Sequence, residues 1–333
     1  ASVADFAAKA KIYAEKLDAN QGKKTADSSK VEFTGLNLGY YLVVSDLGAL
    51  CSLDTTEPNV IIKEKNGEPT IDKKVQEGAN WGKANDANIG DTVNFETTIN
   101  VIDGQPKNYV LHDKMSDGLT LDATSVKVYR NGTVLTTGYT LVTNAEDKCT
   151  FEIRFADGTL VANDVVKVTY SAILNEKAVI AGVGNPNETQ LTYGNNAHTE
   201  WDKTTTYTYK FDLVKTKADN TLLTGAEFKL YDAKTGGNEI ALVKEADGTY
   251  RVATGAEKNA EGFKPATIEA GNVTIKGLDS GTYYLEETKA PAGYNVLPER
   301  VEVKIEGANL NATMDGSTWT NGGVHVINQT GTE

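Results

Sequence analysis

The sequence predicts a mainly β protein: tandem β-sandwich domains of immunoglobulin-like size, preceded by one short N-terminal helix. Three observations carry this. From Val31 onward, short segments rich in Val, Thr, Tyr and Ile alternate in polarity with the period of half-buried strands. They are punctuated by Asn131-Gly132, Asp157-Gly158, Gly236-Gly237 and Asp247-Gly248, pairs suited to tight hairpin turns that require positive φ. The 333 residues are enough for two or three domains at roughly 100 to 200 residues each.

The helix is expected over residues 2 to 20. Val3, Phe6, Ala7, Ala10, Tyr13, Ala14 and Leu17 fall on one stripe, Ser2 can cap it, Asp5 sits in the first turn and Gly22 lies past the end. The segment running from Val31 through Gly35-Leu36 to Gly39-Tyr40-Tyr41-Leu42-Val43 resembles the one running from Val273 through Gly277-Leu278 to Gly281 and Thr282-Tyr283-Tyr284-Leu285. Both read as strand, Gly-Leu turn, second Gly and aromatic strand. The later copy lies about two-thirds of the way through its domain. Residues 1–66 are therefore expected to be the C-terminal part of an N-terminal domain, an independent short subdomain being the other arrangement that the residue count allows. Two sandwiches follow, at 67–205 and 206–333, with the Thr-rich stretch Lys203 to Tyr207 between them.

Composition excludes several classes. With 33 Lys plus Arg against 46 Asp plus Glu, the net charge is −13, which would repel a phosphate backbone and makes nucleic acid an unsuitable partner. No apolar run approaches the roughly 18 residues of a membrane span, the stretch from Gly39 to Leu50 being broken by Asp46. The start has no charged, apolar secretory leader, so secretion would require one that is not part of this chain. Cys51 and Cys149 are too few for a disulfide framework and read as small buried hydrophobes or as one pair. His112, His198 and His325 lack metal-ligand spacing, and no phosphate loop or nucleophile elbow occurs, so no cofactor and no metal is expected.

The remaining chemistry lies in Lys, Asn, Asp and Glu. Alternation puts Phe211, Leu213 and Lys215 on one inward face, Val324, Val326 and Asn328 on another, and Tyr283, Leu285 and Glu287 on a third. A Lys, an Asn and a Glu thus converge on one core, at a cost unless they satisfy one another. Burial drives the lysine and the acid toward neutrality. A neutral amine is a nucleophile, and a neutral carboxylic acid can polarise the asparagine carbonyl and carry protons to departing ammonia. The product is an uncharged Lys–Asn isopeptide bond. A snorkelling lysine in a hydrogen-bonded polar cluster is the other arrangement these residue types allow.

The segment Leu285-Glu286-Glu287-Thr288-Lys289-Ala290-Pro291-Ala292-Gly293-Tyr294 resembles the Glu-Thr-x-Ala-Pro-x-Gly-Tyr signature of collagen-adhesin B-type (Cna-type) domains of Gram-positive surface proteins. The resemblance covers roughly residues 206 to 333. It implies Glu287 as the catalytic acid, Lys215 as the nucleophile and Asn328 as the acceptor. The middle domain repeats the logic. Ile71, Lys73 and Val75 face inward on one segment, and Asn187, Thr189, Leu191 and Tyr193 share a face on another. Lys73 and Asn187 are 114 residues apart, Lys215 and Asn328 113, as suits links between the first and last strands of similar domains. The run from Leu111 through Asp113 to Asp117-Gly118-Leu119 resembles the acid-bearing strand and turn of the isopeptide-forming middle domain of fimbrial backbone proteins, which implies Asp113 as the acid. Lys74 stands as the alternative to Lys73, Asn195 or Asn196 to Asn187, and a plain turn role to Asp113. Where the repeat puts Glu287 the first domain has Val44, so it is not expected to form this bond.

Together these features resemble the backbone (major) pilin of sortase-assembled Gram-positive pili. The resemblance implies a structural shaft subunit, not an enzyme, whose one reaction is its own cross-linking. It implies identical subunits joined head to tail by a class C-type sortase, ancillary pilins, a possible extracellular-matrix or glycan receptor, and a secreted, cell wall-anchored location. The family's pilin-lysine segment corresponds to Val60-Ile61-Ile62-Lys63-Glu64-Lys65-Asn66, with Lys65 as the linking residue and Lys63 as its competitor. The sorting motif is expected beyond Gly331-Thr332-Glu333. The stalk of a host-binding adhesin is the alternative reading, and a glycan-cleaving pair is disfavoured because Asp113 and Glu287 fall in different domains.

Overall fold

The computed structural model describes residues 9, 12–13, 32–34, 40–44, 50–54, 67–101, 106–194, 197–307 and 324–327. Lys9, Ile12 and Tyr13 of the expected helix are helical, and the other residues of that stretch lie outside the described ones. Strands β1 (Tyr40–Val44) and β2 (Leu50–Asp54) form an antiparallel hairpin, with Tyr40 opposite Asp54. Lys63 and Lys65 lie outside the described residues.

Thirteen strands build the middle unit. They are β3 (Thr70–Glu77), β4 (Asn80–Gly82), β5 (Ala84–Asp86), β6 (Thr92–Asn100), β7 (Val110–Met115), β8 (Leu119–Arg130) and β9 (Thr133–Val134), then β10 (Tyr139–Val142), β11 (Phe151–Phe155), β12 (Val165–Leu174), β13 (Asn185–Tyr193), β14 (Ala197–His198) and β15 (Asp202–Tyr207). One sheet runs β4-β3-β6-β12-β8-β9; the facing sheet runs β10-β11-β7-β13-β15-β5, with β14 on β13. Alternation sets the inner faces. Val93, Phe95, Thr97 and Ile99 of β6 and Val166, Val168, Tyr170, Ala172 and Leu174 of β12 are buried from one side. Asn185, Asn187, Thr189, Leu191 and Tyr193 of β13 are buried from the other. Asn131 (φ 49°) and Gly132 (φ 81°) make the predicted tight turn between β8 and β9.

The second sandwich comprises β16 (Tyr209–Thr216), β17 (Glu227–Tyr231), β18 (Leu242–Lys244), β19 (Tyr250–Val252), β20 (Ile268–Glu269), β21 (Asn272–Leu278), β22 (Gly281–Lys289), β23 (Val301–Ile305) and β24 (Val324–Ile327). Its sheets run β18-β19-β21-β16-β24 and β20-β17-β22-β23. A four-residue helix, Gly255–Lys258, carries a capping box between Thr254 and Glu257. The chain is thus a nearly all-β protein with tandem immunoglobulin-like sandwiches.

The stretch Lys203 to Tyr207, expected to connect the domains, is instead part of β15, paired with β13 and β5. Its alternating threonines explain why: Thr204 and Thr206 are buried, and branched Cβ atoms suit a pleated surface. Only Thr208 separates β15 from β16. The two sandwiches also bond directly across the junction. Ile89 N donates to Gly277 O (2.9 Å), Asp279 N to Asn88 Oδ1 (2.9 Å) and the Tyr209 hydroxyl to Asp86 Oδ1 (2.8 Å). Gly277 has φ +79°, and a Cβ there would stand 2.6 Å from Ile89 Cδ1, so only glycine fits this approach.

Candidate functional site: buried lysine and carboxyl groups in both sandwiches

In the middle sandwich, Lys73 reaches inward from β3 and Tyr170 from β12, both in one sheet; Asp113 from β7 and Asn187 from β13 come from the other. Lys73, Asp113 and Asn187 are each 0% exposed. Lys73 Nζ donates to Asp113 Oδ2 at 2.6 Å. The Tyr170 hydroxyl accepts from Lys73 Nζ and donates to Asp113 Oδ2, and it also accepts from Asn187 Nδ2 at 3.3 Å. One phenol thus bridges lysine, acid and asparagine.

The neighbours keep this cluster dry and fixed. Tyr170 stacks on Phe95 with centroids 5.5 Å apart and meets Phe151 edge-on at 4.9 Å. Lys73 Nζ lies 5.4 Å from the Phe95 centroid and 5.0 Å from that of Tyr170. The Lys73 backbone is tied across the sandwich. Its N–H donates to Asp202 Oδ2 (2.7 Å), while Lys83 Nζ reaches both the Lys73 carbonyl (2.6 Å) and Asp202.

Burial holds the Lys73 amine below its ordinary value, with Asp113 pulling the other way. Burial likewise raises the Asp113 carboxyl, against Lys73, Tyr170 and Asn187. The Tyr170 phenol is pushed well up by burial and then by Asp113, so it stays protonated. Two donors already point at Asp113 Oδ2, whereas Asp113 Oδ1 and Asn187 Oδ1 are buried without a hydrogen-bond partner. These two oxygens are buried acceptors of the cluster that no described donor reaches.

Of the alternatives left open by the residues, Lys74 points outward, 39% exposed and paired with Asp72 at 3.2 Å. Asp113 lies within β7, opposite Thr189 of β13, and is not a turn residue. Asn195 and Asn196 lie outside the described residues. Tyr170 is a member of the site that the sequence motifs do not single out. The available signal is its place in the alternating run Val166, Val168, Tyr170, Ala172, Leu174, since an inward tyrosine needs a partner for its hydroxyl.

The second sandwich buries Lys215 (0% exposed) from β16 and Glu287 (4%) from β22 of the facing sheet. Lys215 Nζ donates to the carbonyls of Val326 (3.0 Å) and Thr216 (3.3 Å), so it is aimed at β24. Burial lowers this amine, and the Glu287 charge opposes the shift. Glu287 Oε2 accepts from Leu297 N at 2.9 Å. β24 runs parallel to β16 with Val326 opposite Lys215, and Val326 is buried. Asn328, two residues beyond Val326, lies outside the described residues, as does the side chain of Val44.

Cys149 is a buried free thiol, which burial and then Asp147 push up to about 12. His112 does not stand alone: its ring contacts Asp147 and Thr192.

Residues 89–197 match the family described as Gram-positive pilin backbone subunit 2, Cna-B-like domain, and residues 209–318 match the SpaA prealbumin-like fold domain. The trypsin-resistant surface T6 protein of Streptococcus pyogenes serotype M6 is 23% identical over 271 residues, 72% of this chain. The chain spans about half the length of that relative, 46%. Among solved structures, the group B streptococcus pilus 2b backbone protein is 26% identical with a TM-score of 0.57, over 80% of this chain and 99% of that one. The full-length major pilin RrgB of Streptococcus pneumoniae has the same fold, with a TM-score of 0.58 at 17% identity, over 85% of this chain and 78% of the other. Two consecutive stretches of the chain thus carry a Cna-B-like domain of the Gram-positive pilin backbone type and a SpaA prealbumin-like domain.

Proposed function

We propose that the chain is a shaft subunit of a covalently polymerised surface pilus, and that each described sandwich cross-links itself through one Lys–Asn isopeptide bond. The observation that carries the cross-linking is the cluster of Lys73, Asp113, Tyr170 and Asn187, dry and drawn from both sheets. In the middle sandwich the neutral Lys73 Nζ attacks Asn187 Cγ. Asp113 gives its proton to the amide oxygen and recovers one from the attacking nitrogen; it then passes that proton to the departing nitrogen and takes back the one on oxygen, so that the carbonyl re-forms, the C–N bond to the side-chain amide breaks and ammonia leaves. One amide replaces another, one ammonia is released and no charge is created. Lys215, Glu287 and Asn328 take the same roles in the second sandwich. Glu287 has the corresponding seat on the facing sheet.

Under the same reading a class C-type sortase joins identical subunits head to tail through Lys65, or Lys63 in its place. Head-to-tail contacts are heterologous and give open filaments. Ancillary pilins and a host-matrix or glycan receptor complete the expected partners of a cell wall-anchored fibre.

The test is the intact mass of the folded chain. Each bond removes one ammonia, roughly 17 Da, and no other modification is required. We expect a deficit of two ammonias, falling to one in Lys73→Ala and to one in Lys215→Ala. An unshifted mass in the folded chain would discard the cross-linking mechanism and leave the shaft role to be tested by sortase-dependent polymerisation.

A further inference from the structure

We infer that the edge of the middle sandwich carries a site for a late first-row divalent cation of the zinc type, formed by His112, Asp147 and Cys149, with solvent as the fourth donor and Glu152 beside His112. Among the described residues, His112 Nδ1 or Nε2, an Asp147 carboxylate oxygen and Cys149 Sγ form the one His, Cys and carboxylate group whose ligand atoms lie within 4.8 Å of one another. His112 and Glu152 are directly opposed on β7 and β11, and Asp147 and Cys149 come from the connection between β10 and β11.

His112 and Asp147 each have one polar atom toward the centre and the other held from outside, and Cys149 offers its sulfur. His112 Nδ1 faces Asp147 Oδ2 at 2.8 Å and Glu152 Oε1 at 3.2 Å. Its Nε2 meets Thr192 Oγ1 at 3.0 Å, the outer contact that fixes the ring of a metal-bound histidine. Asp147 Oδ1 accepts from Cys149 N at 2.9 Å, which leaves Oδ2, the oxygen against His112, as the one that turns to the centre. Glu152 Oε2 is taken by Arg154 Nε at 2.6 Å, and its Oε1 stays against His112, at the border of the group. Donors on a tetrahedral zinc, with bonds of about 2.0 to 2.3 Å, stand about 3.3 to 3.8 Å apart. The His112 to Asp147 contact would open by about half an ångström to admit the ion. Mixed nitrogen, thiolate and carboxylate donors suit zinc and disfavour calcium or magnesium, which take all-oxygen sets.

The path to the ion runs past Asp147, whose side chain is 40% exposed, while His112 is 15% and Glu152 5% exposed. On binding, the Cys149 thiol proton leaves to solvent and the sulfur becomes a ligand. The spacing in sequence gives no such expectation, because His112 stands 35 residues before Asp147 and only the pairing of β7 with β11 closes that distance.

The experiment is titration of the folded full chain, in a Cys51→Ser background, with zinc chloride and separately with cobalt(II) chloride. One zinc per chain and a cobalt spectrum with thiolate charge transfer are expected. Cys149→Ser should abolish the charge-transfer band. His112→Gln, at a partly exposed position, should weaken zinc binding at least about tenfold, and Thr192→Val by about the same factor through the ring contact. A chain that binds no zinc, or folded Cys149→Ser and His112→Gln chains that both bind like the parent, would overturn the assignment.

Discussion

At the scale of single residues, Tyr170 ties the middle cluster together, since its hydroxyl touches lysine, acid and asparagine alike. Removing that oxygen leaves the Lys73–Asp113 contact in place but takes away the acceptor of the Asn187 amide. Tyr170→Phe is therefore expected to fold, at a cost of about 1 kcal/mol, and to lose ammonia more slowly than the parent. Mass spectrometry at intervals after refolding measures this, and an unchanged rate would remove Tyr170 from the reaction. A second residue-scale test concerns Glu257, which its hydrogen bonds to the Arg251 guanidinium, ahead of its cap contacts with Thr254, hold down at about 2 from an ordinary 4.5. An acid lowered in the fold adds stability above its unfolded value, and that addition fades as pH falls from 4.5 through 2. Glu257→Gln should cost about 1 kcal/mol at neutral pH, a figure reduced for its open rim, and almost nothing at pH near 2 in thermal unfolding.

At the scale of elements, period-two alternation makes the inner faces readable. It is enough to put Lys73, Asn187, Lys215 and Glu287 inside, because a strand has only two sides. What alternation cannot convey is which strands face one another across a sandwich. Tyr170 and Asp113 meet from opposite sheets, and His112 meets Asp147 through a connection of its neighbour strand. Neither encounter has a sequence spacing of its own. The stretch Lys203–Tyr207 misleads for a different reason: consecutive threonines look like a polar connection, yet Thr204 and Thr206 bury their methyl groups in β15. Asp202, at the head of that strand, is also the acceptor for the Lys73 backbone. The segment that reads as a tether is a wall of the site.

At the scale of the molecule, the junction between the sandwiches gathers acids. Burial raises Asp279 to about 7, reinforced by Asp86, Glu77 and Asp91 and opposed by the Ser280 N–H. A raised acid keeps its proton when folded and releases it when unfolded. Stability therefore falls as pH climbs from 3.8 to about 7 and stays reduced above that. Asp279→Asn should raise the melting temperature at pH 8 by an amount equivalent to about 1 to 2 kcal/mol, with the gap closing as pH falls toward the ordinary carboxylate range. A gap that does not change with pH would show that Asp279 binds its proton no more tightly in the fold than in the unfolded chain. The parallel pairing of β16 with β24 has its own consequence. The chain enters β16 at Tyr209 and leaves β24 after Ile327, at opposite ends of the pair. Tension applied between those ends slides the two strands lengthwise in shear, loading every rung of the ladder at once. In an antiparallel hairpin pulled from its open end the rungs would give way singly, like a zip.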